Sequence, residues 1–305
     1  MEFNQNESVS SGLAALVGPP NVGKSTLLNT LIGQKISIVT PKPQTTRNRI
    51  AGVLNEPEYQ IVLLDTPGLH ASRSALNQEM VRIAMESLVD VDAVLFIIDV
   101  SVPLPEKVQL QRKKEYQEYF KKVTAPAMLI LNKIDLIDRR ELLPMIEAYA
   151  DMFAFTSIMP ISALSGDGTQ QLVSELIKLM PQGPRYFPED VPTDVSERFL
   201  VAEIVREKLF LLTGQEIPYT SAVLVDSFKE DSQRGMVTIH ASIYLEKQSQ
   251  KGMVIGKGGS KLKSIGTAAR RDIEKMLQLK TVLKLWVKVR KNWSRDQRFL
   301  KELGF

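Results

Sequence analysis

The stretch Gly18 to Ser25 reads Gly-Pro-Pro-Asn-Val-Gly-Lys-Ser, the spacing G-x-x-x-x-G-K-[ST]. Glycines at its ends let the backbone curl until several N–H groups converge on one anion. Lys24 adds a full positive charge and Ser25 a hydroxyl for Mg²⁺. That is phosphate-binding chemistry, and Gly18, Asn21, Val22, Gly23, Lys24, Ser25 and Thr26 are its candidate residues. Asp65-Thr66-Pro67-Gly68 closes an apolar run. A carboxylate at that end of a buried strand can hold Mg²⁺ through water, and the Gly68 N–H can meet a terminal phosphate with no side chain in the way. A threonine from the Pro-containing loop Ser37 to Arg49 can complete the metal site; of the doublet Thr45-Thr46, Thr46 is the stronger candidate. Ser25, Thr46 and Asp65 are therefore the candidate metal ligands, and Lys24, Thr46, Gly68 and Asn21 the candidate catalytic residues.

Two further constellations concern recognition. In Asn132-Lys133-Ile134-Asp135 a carboxylate can accept from the N1–H and exocyclic amine of guanine, a pattern adenine does not supply. A backbone N–H of Ser162-Ala163 can meet the guanine carbonyl. Far downstream, Ile255-Gly256-Lys257-Gly258-Gly259 is followed by Lys261 and Lys263. A Gly-x-x-Gly junction between helices lets a nucleic-acid backbone approach the amides closely.

The elements that must position these groups alternate. Leu13 to Val17, Arg49 to Leu54, Tyr59 to Leu64, Ala93 to Asp99, Ala127 to Leu131 and Thr156 to Ile161 read as strands, the second and third as a hairpin. Lys24 to Ile32, Ala75 to Leu88, Glu106 to Lys122 and Gly168 to Met180 read as helices. Continuous apolar runs such as Val94 to Ile98 predict strands buried on both faces of a mostly parallel sheet, an α/β architecture with helices on both sides. Four prolines between Pro181 and Pro192 suit a linker. Beyond it the order is helix (Val195 to Leu212), strand (Ser221 to Phe228), strand (Met236 to Leu245), helix, Gly-x-x-Gly, helix (Ser260 to Leu277) and strand (Val282 to Val289), an α+β unit. Trp286 falls in the alternating last strand and is expected in the core; Trp293 has no assignment, and His70 and His240 lie too far apart for a metal site.

The 305 residues, 44% hydrophobic and 24% charged, fit two ordinary globular domains. The absence of cysteine excludes disulfides and thiolate metal sites, and the polar start, read as disordered over residues 1–12, is unlike a signal peptide. A cytoplasmic protein is expected. Net charge is +4, yet Lys251 to Phe305 holds 15 Lys/Arg and 4 Asp/Glu, so +11 there leaves −7 on the rest. A basic end on an acidic chain predicts a polyanionic partner.

Gly18 to Ser25, Thr45-Thr46, Asp65 to Gly68, Asn132 to Asp135 and Ser162-Ala163 together resemble the ordered motifs of translation-factor-related GTPases, over residues 13–180. The resemblance implies a P-loop GTPase domain using GTP or GDP with Mg²⁺, with Lys24 on the phosphates and Asn132, Lys133 and Asp135 on the guanine side. Where small signalling GTPases carry a water-orienting glutamine, this chain has Leu69, as does the subgroup with a hydrophobic residue there. That implies slow intrinsic hydrolysis, and in relatives an asparagine at the Asn21 position helps bind K⁺. Residues 195–305, after a linker over 181–194, resemble a type II KH domain, with Ile255 to Gly259, Lys261 and Lys263 as RNA-binding residues. The two-domain order resembles a bacterial GTPase family and implies a monomeric factor that binds 16S ribosomal RNA near its 3′ end. It further implies a role in assembly of the 30S subunit and rRNA maturation, and peripheral association with the inner membrane. The alternatives are a nucleotide-occupied RNA-binding scaffold and a membrane-surface regulatory GTPase.

Overall fold

Consecutive apolar residues become fully buried strands: in β4 (Ala93–Asp99) and β5 (Ala127–Asn132) every residue except Asp99 is buried. The computed structural model describes residues 8–69, 75–101, 116–117, 119–214 and 216–304, and the chain divides into two units. The expected helix Glu106 to Lys122 and His70 lie wholly or mostly outside the described residues.

In the first unit the sheet runs β2-β3-β1-β4-β5-β6, with a short β7 on β1. β1 (Val9–Val17) pairs in parallel with β3 (Tyr59–Asp65) and β4, β5 joins β4 and β6 (Ser157–Ile161) in parallel, and β2 (Ile50–Glu56) is the antiparallel arm of the hairpin. The register sets Leu16 beside Asp65, Asp99 beside Asn132 and Asn132 beside Ile161, so the motif residues share the carboxyl edge where open parallel sheets bind ligands. Helices α1 (Lys24–Ile32), α2 (Ala75–Glu86), α3 (Leu142–Ala150) and α4 (Thr169–Ile177) are described in this part of the chain. Beneath the sheet, Phe96 meets Tyr116 and Phe120 edge-on, and Phe120 stacks on Phe153 at 4.5 Å.

One expectation is corrected. β1 begins at Val9, inside the stretch expected to be disordered, because Ser10 to Gly12 pair with Tyr59 to Ile61. The proline-rich stretch read as a linker is bonded to the first sheet: Gln182-Gly183 form β7 on β1, Gln60 bonds to the backbone of Tyr186 and Phe187, and Val53 N–H donates to Pro192 O at 2.8 Å. Prolines lack donors, but their carbonyls still satisfy the open edge of the sheet.

The second unit packs α5 (Glu197–Leu212), α6 (Gln248–Ile255) and α7 (Ser260–Leu277) on one face of a sheet ordered β10-β9-β8. β8 (Ser221–Asp231) and β9 (Met236–Leu245) are antiparallel, β10 (Lys280–Val289) runs parallel to β9, and a short α8 (Gln297–Glu302) follows. Val205, Leu209, Ile239, Ile243, Ile265 and Ile273 form its core. Ser196 caps α5 through the Phe199 N–H. Residues 38–45 belong to this unit by their contacts: the Lys42 ammonium donates to Phe210 O and Thr213 O, and Arg206 donates to Thr45 O while paired with Glu203.

Candidate functional site

The phosphate loop leaves β1 and enters α1 with Asn21 and Gly23 at φ 63° and 98°, which turns successive amides inward. Lys24 is buried and donates to Gly18 O at 3.1 Å and Pro19 O at 2.8 Å, so its ammonium is already aimed along the inside of the loop. Burial pulls its pKa down to about 8, against the opposing attraction of Asp65. An incoming phosphate supplies the anion that such a cation lacks.

Asp65, wholly buried at the end of β3, is the hub of an oxygen cluster. Its Oδ2 accepts from Ser25 at 2.6 Å, Ser37 at 2.8 Å and Thr46 at 3.3 Å, and Ser25 and Thr46 lie 2.8 Å apart. Burial raises the carboxyl pKa, and these hydroxyls and Lys24 pull the other way. Its Oδ1 is buried with no hydrogen-bond partner. An orphaned carboxylate oxygen beside two hydroxyls suits a hard cation with oxygen ligands, and Mg²⁺ fits because it keeps waters and phosphate oxygens for its other positions. The cluster thus brings Ser25, Thr46 and Asp65 together, with Thr46 rather than Thr45 turned to it: the Thr45 hydroxyl bonds to Lys42 O and Thr40. Among the described residues no group of three His, Asp or Glu could hold a metal.

Ser37 was invisible to motif reading. Its place is fixed by Asn29 on α1, whose side chain accepts from the Ile36 and Ser37 N–H groups and donates to Ser37 O. The segment 37–49, read as a Pro-containing loop, lacks helix and strand but buries Ser37, Thr45, Thr46, Arg47 and Asn48. Gly68 packs so tightly that an added Cβ would lie 2.7 Å from Pro20 N, and the next N–H, of Leu69, donates to Gly18 O at 3.0 Å.

On the base side, Asn132 acts as a brace. Its Nδ2 donates to Val22 O at 2.6 Å and its Oδ1 accepts from the Ala163 N–H at 2.9 Å, tying the phosphate loop to the Ser162-Ala163 turn. Thr30 of α1 adds a bond to Ala163 O at 2.6 Å. Lys133, at φ 72°, is held by Asp99 at 2.5 Å, a partner that sequence reading missed. Asp135 lies exposed in the short turn Ile134–Leu136, and Thr26 follows Ser25 in the first turn of α1.

The second site begins where α6 stops at Gly256, whose φ of 73° with ψ of 174° only glycine adopts readily, and where a Cβ would meet Lys261 at 2.8 Å. Gly258 and Gly259 bring the chain into α7, whose first amides have no side-chain cap. Open amides at a helix start favour phosphate. Lys257 and Lys263 are exposed, Lys261 and Ile255 half-buried. Trp293, by contrast, is fully buried and donates to Thr220 O at 3.0 Å, while Trp286, expected in the core, is 43% exposed.

Two family models match different parts of the chain. The family described as 50S ribosome-binding GTPase matches residues 13–133, and the KH domain family matches residues 216–294. The chain is 51% identical to GTPase Era of Geobacter metallireducens, over 97% of each chain. It is 45% identical to GTPase Era of Staphylococcus haemolyticus, again over 97% of each. Among solved structures, an Aquifex aeolicus Era variant bound to GDP and AlF₄⁻ superposes with a TM-score of 0.90 at 40% identity, covering 96% of this chain and 98% of that one. An Era complex with MgGDPNP and nucleotides 1506–1542 of 16S ribosomal RNA gives 0.91 at 40% identity, covering 97% and 99%.

Proposed function

From its membership of the Era family of GTPases, to which this chain belongs, we propose a two-site factor that couples GTP turnover to the binding of 16S rRNA near its 3′ end. The observation that carries this is the presence, in one chain, of the Lys24, Ser25 and Asp65 cradle and of the Gly256 to Gly259 turn with its exposed lysines. In this reading the GTPase domain spans 13–180 and the KH-type domain follows the stretch 181–194.

Residues 18–26 enclose the phosphates, Lys24 neutralises them, and Gly68 offers its amide to the terminal one. Ser25, Thr46 and Asp65 would hold Mg²⁺, which would supply charge neutralisation at the phosphates. Asp135 reads the guanine edge while Asn132 keeps the loops in place. Leu69 is 4% exposed and packs in the apolar core, so it orients no water. Intrinsic hydrolysis is therefore slow, on the order of 10⁻³ s⁻¹ or below. Asn21, exposed on the phosphate loop, would help hold K⁺, which would supply positive charge where an arginine otherwise acts; turnover should then be faster in KCl than in NaCl, and equal rates would remove K⁺ from the scheme.

On the RNA side the amides of Gly256 to Gly259 and Lys257, Lys261 and Lys263 hold the backbone, beside Ile255. The factor works in the cytoplasm on the 30S subunit, with peripheral attachment to the inner membrane; no helix among the described residues is long and apolar enough to cross one. The test is crosslinking of the protein to total RNA with a GTP analogue or GDP. A sharp peak at the 16S 3′ end under one nucleotide supports the scheme, whereas an unlocalised profile indifferent to nucleotide overturns it.

A further inference from the structure

The sheet of the second unit has one face under α5, α6 and α7, and among the described residues only α8 reaches the other. Register assigns the residues: Val237, Ile239, Ala241 and Ile243 of β9 and Leu283, Leu285 and Val287 of β10 point to the helices. Their neighbours Thr238, His240, Ser242 and Tyr244, and Lys280, Val282, Lys284, Trp286 and Lys288, therefore point the other way. One end of this outer face is closed: Tyr244 packs edge-on against Phe299 of α8 at 4.8 Å, and Arg290 lies over the same ring at 4.0 Å. The other end is open. There Trp286 is 43% and Val282 37% exposed, and Trp286 rests against His240 with ring centroids 5.0 Å apart.

Charge on this face is one-sided. Of its acids, Asp226 is paired with Lys288 at 3.8 Å and with Ser242, and Asp231 with Arg234 at 3.7 Å. Lys280 and Lys284 stand exposed on either side of Val282, in phase with Trp286. A large exposed ring on a strand surface between regularly spaced cations is the combination that single-stranded nucleic acid uses, with bases stacked on the ring and phosphates beside the lysines.

We propose that the open outer face of β9 and β10 is a second RNA-contact surface, in which Trp286, backed by His240, stacks an unpaired base and Lys280 and Lys284 hold the flanking phosphates. It rests on the RNA-binding reading above and extends it: a Gly-x-x-Gly turn clamps about four nucleotides, and this face takes up nucleotides beyond them. A second copy of the chain is disfavoured as occupant, since two such faces would oppose their lysines.

The test uses the full chain and two probes, an RNA of 16S nucleotides 1506–1542 and a single strand of about ten nucleotides from its 3′ end. Trp286→Ala should weaken the long RNA about tenfold and the short one by less than about twofold. Trp286→Phe should restore most of the loss, and Lys284→Glu should weaken the long RNA and flatten its salt dependence. Trp293 is buried, so Trp286 emission should quench on adding the long RNA. Unchanged long-RNA affinity in Trp286→Ala, with Lys257→Asp weakened, overturns the second surface and leaves the turn intact. If the unaltered protein binds neither RNA, the RNA-binding reading itself fails. Loss of binding to phosphatidylglycerol vesicles by Trp286→Ala with RNA affinity unchanged assigns the face to membrane and overturns the proposal.

Discussion

The proposed nucleotide site and the KH-type surface are both suited to phosphates, yet they keep their charges in opposite places. Lys24 and Asp65 are buried, each among partners fixed to within 3.3 Å. Lys257, Lys263, Lys280 and Lys284 are exposed. A buried charge acts through geometry in a low dielectric and is hardly screened, whereas an exposed one acts through the field and through released counterions. One region can therefore select a single small molecule and the other can gather a long flexible polymer.

The contrast is easiest to break at Lys24. Lys24→Ala removes the one buried cation of the cradle and should weaken GTP binding by about a hundredfold or more, of the order of 3 kcal/mol for charge-assisted bonds, and abolish phosphate release. Calorimetry with GDP and GTP analogue measures the first; retained hydrolysis would mean that the amides alone suffice. Next in size, Asn132→Ala leaves Val22 O and the Ala163 N–H without their bonds and should cost about 2 kcal/mol of stability, together with nucleotide affinity. Denaturant unfolding with and without GDP separates the two effects.

Salt sharpens the comparison without any mutation. Raising KCl from about 50 to 200 mM should lower RNA affinity by about tenfold or more and change GDP affinity little, because only the exposed cations release counterions. Equal sensitivity at both sites would erase the distinction. The smallest effect lies at Asp296, which caps α8 through the Arg298 and Phe299 N–H groups and whose pKa is held below the usual carboxylate range, chiefly by Arg290. A depressed carboxyl contributes stability above its unfolded pKa and loses it as pH falls through the folded one. Asp296→Ala should therefore lower Tm slightly at neutral pH and leave it unchanged in acid, as a thermal scan at both pH values would report.

How much of this was legible depended on distance along the chain. The phosphate loop, Asp65 to Gly68, Asn132 to Asp135 and the Gly-x-x-Gly turn announce themselves because each puts its chemistry within a few residues. The groups that hold them do not: Asn29 holding Ser37, Asp99 holding Lys133 and Asn132 joining Val22 to Ala163 are pairings that only the folded sheet edge creates. Trp286 was misassigned for another reason. Alternation says that a strand has two faces without saying which is covered, but the parity was there to read. Lys284, Trp286 and Lys288 are in phase, and a core face does not carry two lysines. Trp293 sits in a turn before a short helix, where no period exists to place it.

The bond from Arg206 to Thr45 O also orders events in time. Its partners are 161 residues apart, and at about 5–20 residues per second the acceptor is made some eight to thirty seconds before its donor. During synthesis the stretch 38–45 therefore has no α5 to hold it, while α1 and β3, which carry Ser25 and Asp65, are already complete. A nascent chain can own its phosphate loop well before it owns the anchor of the segment leading to Thr46.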